Sequence, residues 1–145
     1  MVVEVVIENK DKERELTFLD LKIEGMKYGT LDNSFRLEEG KIGEHTIVFS
    51  TQKICRGHEV YFKNGNVCLT LNLPTGPNDI KFFYQHIKNI CKIIGINNFT
   101  RDGIDSSLDF LETYIEQDKR TSIDALKDMT AKIDKGEYQN FSIFG

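Results

Sequence analysis

The sequence predicts an α+β domain, a mainly antiparallel sheet with about three helices packed on it, and three observations point that way. Strand-type alternation dominates residues 1–73 and helical spacing dominates residues 78–135, so the two regimes are segregated instead of interleaved. Tyr61 and Phe62 precede Asn64-Gly65, and Val67, Leu69, Leu71 and Leu73 alternate after it, which is the pattern of a tight antiparallel hairpin with one buried face. Ile80, Phe83, Tyr84, Ile87, Ile90, Cys91 and Ile94 then recur at the spacing of one helix face until Gly95 stops the run.

In chain order, Val3, Val5 and Ile7 alternate as a first strand. The start Met1-Val2-Val3-Glu4-Val5-Val6-Ile7 has no basic n-region and holds a glutamate among its apolar residues, so it does not read as a signal peptide. Between Leu16 and Leu37, Phe18, Leu21 and Ile23 fit either a short helix opened by Thr17 or a strand. The short helix is favoured, with Gly25, Gly29, Asp32 and Asn33 breaking regularity after it. Thr46 to Phe49 and Val60 to Phe62 are further short strands, and Val67 to Leu73 is the longest. Pro74-Thr75-Gly76-Pro77-Asn78-Asp79 stops that strand and opens the long helix, with a proline in the first turn and a carboxylate near the positive end of the helix dipole.

Beyond Gly95, a link through Asn97, Asn98 and Phe99 leads to the turn Asp102-Gly103 and a second helix, with Ile104, Leu108, Leu111 and Ile115 as its buried stripe. Ser106 with Asp109 reads as a variant capping box, and Thr121 with Asp124 repeats it at the start of a third helix lined by Ile123, Leu126, Met129 and Ile133. Lys135-Gly136 ends that helix, and Tyr138 to Phe144 alternates as a final strand. That strand stops abruptly at Gly145, which leaves room for a native chain that continues. No linker or repeat divides residues 1–145, so they read as a single α+β domain.

A chain of 145 residues with 39% hydrophobic side chains is large enough to bury a core without disulfides or a structural metal. A net charge of −4 without a Lys/Arg cluster argues against a nucleic-acid partner, since phosphate binding demands a basic stripe. The longest apolar runs fall far short of a membrane span, so the expected location is the cytoplasm. There, Cys55, Cys68 and Cys91 are expected as reduced thiols.

Several residue constellations bear on chemistry. Cys55-Arg56-Gly57-His58 with Cys68 could bring three zinc-type ligands together, but the fourth is missing, so no metal is expected. Cys55 beside Arg56 and near His58 is formally a nucleophile with a base, although such partners usually come from distant segments. Gly40, Gly43, Gly57, Gly65 and Gly76 form no phosphate-cradling motif, and no cofactor is expected. Asn98-Phe99-Thr100 and Asn140-Phe141-Ser142 match the glycosylation pattern but carry no weight without a secretory route.

Charge and side-chain position supply two further features. Asp105, Asp109, Glu112 and Glu116 are spaced to form an acidic ridge on the second helix, and Lys81, Lys88 and Lys92 form a basic one on the first. The ridges either face each other, meet a partner or are simply solvated. Phe82, His86 and Ile93 lie off the main apolar stripe, as packing against another part of the chain or as a contact patch for a partner protein or a second copy.

Arg56-Gly57-His58-Glu59-Val60, Leu71-Asn72-Leu73-Pro74-Thr75, Asp79-Ile80, Phe83-Tyr84 and Arg101-Asp102-Gly103 together resemble an uncharacterised family of small cytosolic proteins from low-GC Gram-positive bacteria. The likeness spans roughly Cys55 to Gly145, with a weaker match before it. It implies the fold and no activity, and members of that family often continue past the final strand. The expected function is a non-enzymatic protein-interaction or regulatory domain. The alternative is a small hydrolase using Cys55 and His58 or the carboxylate cluster.

Overall fold

The computed structural model describes residues 1–50 and 56–134. Its strands are β1 (Val2–Ile7), β2 (Met26–Leu31), β3 (Leu37–Glu39), β4 (Thr46–Ser50), β5 (His58–Lys63), β6 (Asn66–Asn72), β7 (Asn98–Arg101) and β8 (Ile104–Ser107). They form one eight-stranded sheet in the order β3-β2-β4-β5-β6-β1-β7-β8, and every neighbouring pair is antiparallel. Two α-helices complete the fold, α1 (Pro77–Ile94) and α2 (Leu111–Asp134), with short 3-10 turns at Phe18–Leu21 and Leu108–Phe110.

The β5–β6 hairpin forms where Asn64-Gly65 demands it. Both residues take positive φ, 55° and 77°, and this matches the twist of the flanking strands. Val67, Leu69 and Leu71 then point to one face and are fully buried, as are Val3, Val5 and Ile7 on β1, which pairs with β6 from Val2 opposite Asn72 to Ile7 opposite Val67. α1 lies on that inner face and buries Ile80, Phe83, Ile87, Ile90 and Cys91 completely. Pro77 occupies its first turn, and Gly95 closes it by donating its N–H to the Cys91 carbonyl at 2.8 Å.

The segment 16–37 is part helix and part strand. Phe18–Leu21 is one 3-10 turn capped by a reciprocal Thr17–Asp20 box, with Phe18 and Leu21 buried, whereas Met26–Leu31 is a strand that the glycines concealed. Met26 to Gly29 pairs with Ser50 to Ile47 of β4, and Gly29 to Leu31 pairs with β3 on the other side.

Three features expected of the C-terminal half are corrected. Asn98–Arg101 is a strand, and Asp102-Gly103, with φ of 52° and 80°, is the turn of a second hairpin instead of a helix start. Ile104 is therefore a strand residue, 71% exposed, outside the helical stripe that Leu111 and Ile115 do form. The capping contact there is made by Ser107, which accepts from the Asp109 N–H, while Ser106 Oγ is 2.5 Å from the Tyr114 hydroxyl. Finally, the described residues form two long helices where about three were expected, because Leu111–Asp134 runs through Thr121 and Asp124 without a break. Thr121–Asp124 opens nothing, and the buried Ser122 instead accepts a hydrogen bond from the Thr75 N–H at 3.2 Å. Ile123 is exposed, Leu126 and Met129 are half-buried, and the Ile133 side chain and the strand expected over 138–144 lie outside the described residues.

Candidate functional site

Beta5 begins at His58, and the turn of chain before it is tied to the first turn of α1. The Asp79 carboxylate is buried there and accepts from the Arg56 N–H and the Gly57 N–H, both at 3.0 Å, and from the Thr75 hydroxyl at 2.5 Å. Arg56 also donates from its guanidinium to the Pro74 carbonyl at 2.9 Å. Gly57 takes φ of +80°, and a Cβ added to it would stand 2.1 Å from the Val48 carbonyl oxygen, so only glycine fits between β4 and α1.

His58, 3% exposed, has its Nε2 2.8 Å from Nδ1 of His86, which is fully buried, and His86 Nε2 lies 2.8 Å from the Leu21 carbonyl oxygen. A carbonyl only accepts, so His86 must donate from Nε2, which leaves its Nδ1 to accept from His58 Nε2–H. His58 Nδ1 is then a bare lone pair, and it is the one fully buried side-chain nitrogen or oxygen without a partner among the described residues. Phe82 and Phe83 pack on the His58 ring with centroids at 5.5 and 5.1 Å. Burial, with the neighbouring His86 adding to it, pushes the His58 pKa well down, and burial brings His86 down to about 4. Both rings are neutral at pH 7.

A cleft of about 700 Å³ crosses the sheet near this point. Leu31, Leu37, Ile47 and Phe49 make its apolar wall. The polar side comes from Arg56 to Glu59 at the entry to β5, from Thr70 and Asn72 of β6, and from the first turn of α1. The strand registers place Leu31, Leu37, Ile47, Glu59 and Thr70 on the outer face, opposite the one α1 covers.

On the inner side, α1, α2 and β7 meet at a second polar cluster. The Tyr84 hydroxyl donates to Asp118 Oδ2, Arg101 donates from Nε to the Tyr84 hydroxyl at 3.1 Å and from Nη2 to Asp118 Oδ1 at 2.6 Å, and the Arg101 guanidinium lies 4.6 Å from the Tyr114 ring centroid. Asp118 is fully buried and Arg101 is 9% exposed. Burial pushes the Asp118 carboxyl above the usual carboxylate range, against the pull of Tyr84 and Arg101. Burial also disfavours the Arg101 charge, but Tyr84 and Asp118 outweigh it and hold the guanidinium protonated. Charges fixed this way hold elements together, and Tyr84 of the cluster also lines a groove between α1 and α2.

The residues singled out in the sequence fare differently. Phe82 and His86 are buried at 8% and 0% and Ile93 is half-buried, so they pack inside the chain and form no exposed contact patch. The physical reason is that α1 is covered on more than one side. The sheet takes Phe83 and Ile87, His86 turns to Leu21, and Tyr84 turns to α2. Cys55 lies outside the described residues, whereas Cys68 and Cys91 are buried thiols whose pKa values burial raises, Cys91 to about 11. The acidic ridge is spread over three elements, with Asp105 on β8, Asp109 on the 3-10 turn and Glu112 and Glu116 on α2, all exposed. Asp109, Glu112 and Glu116 do face Lys81 and Lys88 across a groove between α1 and α2. Among the described residues no ion pair closes that groove, and Glu116 pairs instead with Lys119.

An all-antiparallel sheet with one helix on its inner face, a second helix packed on the first and an open cleft on its outer face defines an α+β domain. No helix among the described residues is long and apolar enough to cross a membrane. The chain belongs to the family described as Domain of unknown function (DUF4299), which it matches over residues 2–145. The match thus extends across the N-terminal strands as well as the part from Cys55 onward. No curated protein and no solved structure matches the chain.

Proposed function

We propose that this is a non-enzymatic protein-interaction domain that holds an extended segment of a partner protein in the outer-face cleft. The observation that carries the reading is the apolar wall of Leu31, Leu37, Ile47 and Phe49, which no helix among the described residues covers and which continues to β3, an edge strand of the sheet those residues form. An edge strand with an apolar cleft beside it suits an extended chain, whose backbone adds to the edge while alternate side chains enter the cleft. The polar groups nearby support binding over catalysis. Asp79 is committed to three hydrogen bonds, and the His58 proton is committed to His86.

Selection of random linear peptides on the purified protein tests this reading. Wild type should enrich peptides with alternating apolar residues, and the Leu37→Glu/Ile47→Glu variant should bind them at least about tenfold more weakly, a loss of roughly 1.4 kcal/mol. Its thermal stability should change little, since outer-face substitutions away from packing shift stability by under about 0.5 kcal/mol. Absence of any enriched peptide, or undiminished binding by the variant, would refute it.

A further inference from the structure

We propose that His58 and His86 form a proton-sensitive latch that fastens one end of the outer-face cleft at neutral pH and releases it on acidification. What the latch regulates rests on the reading of the cleft as a peptide site; the latch itself rests on geometry. His58 is the first residue of β5 and lines the cleft, and its ring links that strand through His86 of α1 to the Leu21 carbonyl of the 3-10 turn. Three segments distant in sequence therefore share one directional chain of hydrogen bonds.

That chain has no place for another proton. Added to His58 Nδ1, it would create a charged N–H, fully buried, with no acceptor, beside the rings of Phe82 and Phe83. Added to His86 Nδ1, it would face the His58 Nε2–H at 2.8 Å, donor against donor. Among the described residues the groups around His58 include Phe82, Phe83 and His86 from α1, Val48 from β4 and, through the Gly57 N–H, Asp79. Of these His86 and Asp79 carry ionisable side chains, and no carboxylate bonds to either imidazole among the hydrogen bonds of the described residues. Protonation is therefore accommodated by opening.

The sign follows from linkage. Both rings have pKa values depressed by folding, so the closed state binds fewer protons than the opened one, in which each histidine returns toward the ordinary value near 6.5. The latch is fully fastened above about pH 6.5 and weakens as pH falls toward 4. By pH 5 the opening equilibrium should have risen about 30-fold for each histidine released.

Nitrogen-15 NMR of the imidazoles in the wild-type protein reads the geometry directly. At pH 7.5 both rings should be Nε2–H tautomers with unprotonated Nδ1, and an Nδ1–H tautomer on either would overturn the proposal. Hydrogen exchange of the amides of His58, Val60 and Leu21, corrected for intrinsic rates, should show the 30-fold or greater rise between pH 7.5 and 5. His58→Gln and His86→Gln keep a donor at each site but do not titrate, so each should cut the rise to at most the share of the one histidine left, and an unchanged rise in both would overturn the latch. Peptides from the selection above should lose affinity over the same pH interval in wild type and less so in either variant. Should no peptide bind while tautomers and exchange behave as stated, the latch stands and the peptide reading falls. Peptide binding with flat exchange would sink the latch alone.

Discussion

Replacing Asp118 with alanine is expected to destabilise the protein by about 4 kcal/mol. Asp118 is fully buried and accepts from both Arg101 and Tyr84, so its loss leaves a guanidinium that is 9% exposed with only the longer 3.9 Å contact to the Asp102 carboxylate as counter-charge. Breaking a buried pair in this way costs about 3–5 kcal/mol, because Arg101 cannot shed its proton, while the Tyr84 hydroxyl loses its acceptor but still accepts from Arg101 Nε. The converse change should be milder. In Arg101→Met the Asp118 carboxyl, already raised by burial, can take up a proton, so a cost of about 2 kcal/mol is expected. That cost should shrink as pH falls, since a folded-state carboxyl with a raised pKa binds a proton before the unfolded one does. Replacing both, as Arg101→Met/Asp118→Ala, removes the charges together and should cost less than the sum of the singles. Urea midpoints at pH 7.5 and 5 for the four proteins give the cycle. A loss under about 1 kcal/mol for Asp118→Ala, or a larger loss for Arg101→Met, would show that the cluster is not a desolvated ion pair.

Phe83→Ala should cost about 3–5 kcal/mol in the same denaturation assay, because its ring is fully buried against His58 and Tyr84; an unchanged midpoint would contradict the α1 register. Gly57→Ala should cost more than about 2 kcal/mol, since positive φ is strained and its Cβ would meet the Val48 carbonyl at 2.1 Å. A melting temperature equal to wild type would rule out that close approach.

Where local chemistry and long-range packing agreed, the structure could be read from the residues. The β5–β6 hairpin and α1 were legible because Asn64-Gly65, the alternation after it and the caps at Pro77 and Gly95 all favour the same backbone. The β7–β8 hairpin was missed despite its Asp102-Gly103 turn, since its strands are short and largely polar, Asn98–Arg101 and Ile104–Ser107, and give little period-2 signal. Thr121 and Asp124 mimic a cap, yet a helix already held by Leu111, Ile115 and the Asp118 pair has no reason to stop there. The histidine chain and the Tyr84–Arg101–Asp118 cluster left the least trace. Each joins residues from three segments, and no spacing within one element encodes such a meeting.

The position of β1 makes the order of synthesis matter. β1 precedes the other strands of this sheet in chain order yet sits in its interior, bonded to β6 on one side and β7 on the other, and the Glu4 N–H reaches Asp102, 98 residues away, at 2.8 Å. Until β6 has emerged, Val3, Val5 and Ile7 have no apolar partner strand, and the sheet stays divided until the chain has passed Arg101. Such non-local pairing implies slow folding and an early nascent chain with an exposed apolar segment. A version lacking β1 would lose more than one edge strand, because the β7–β8 hairpin would have nothing in the sheet to join.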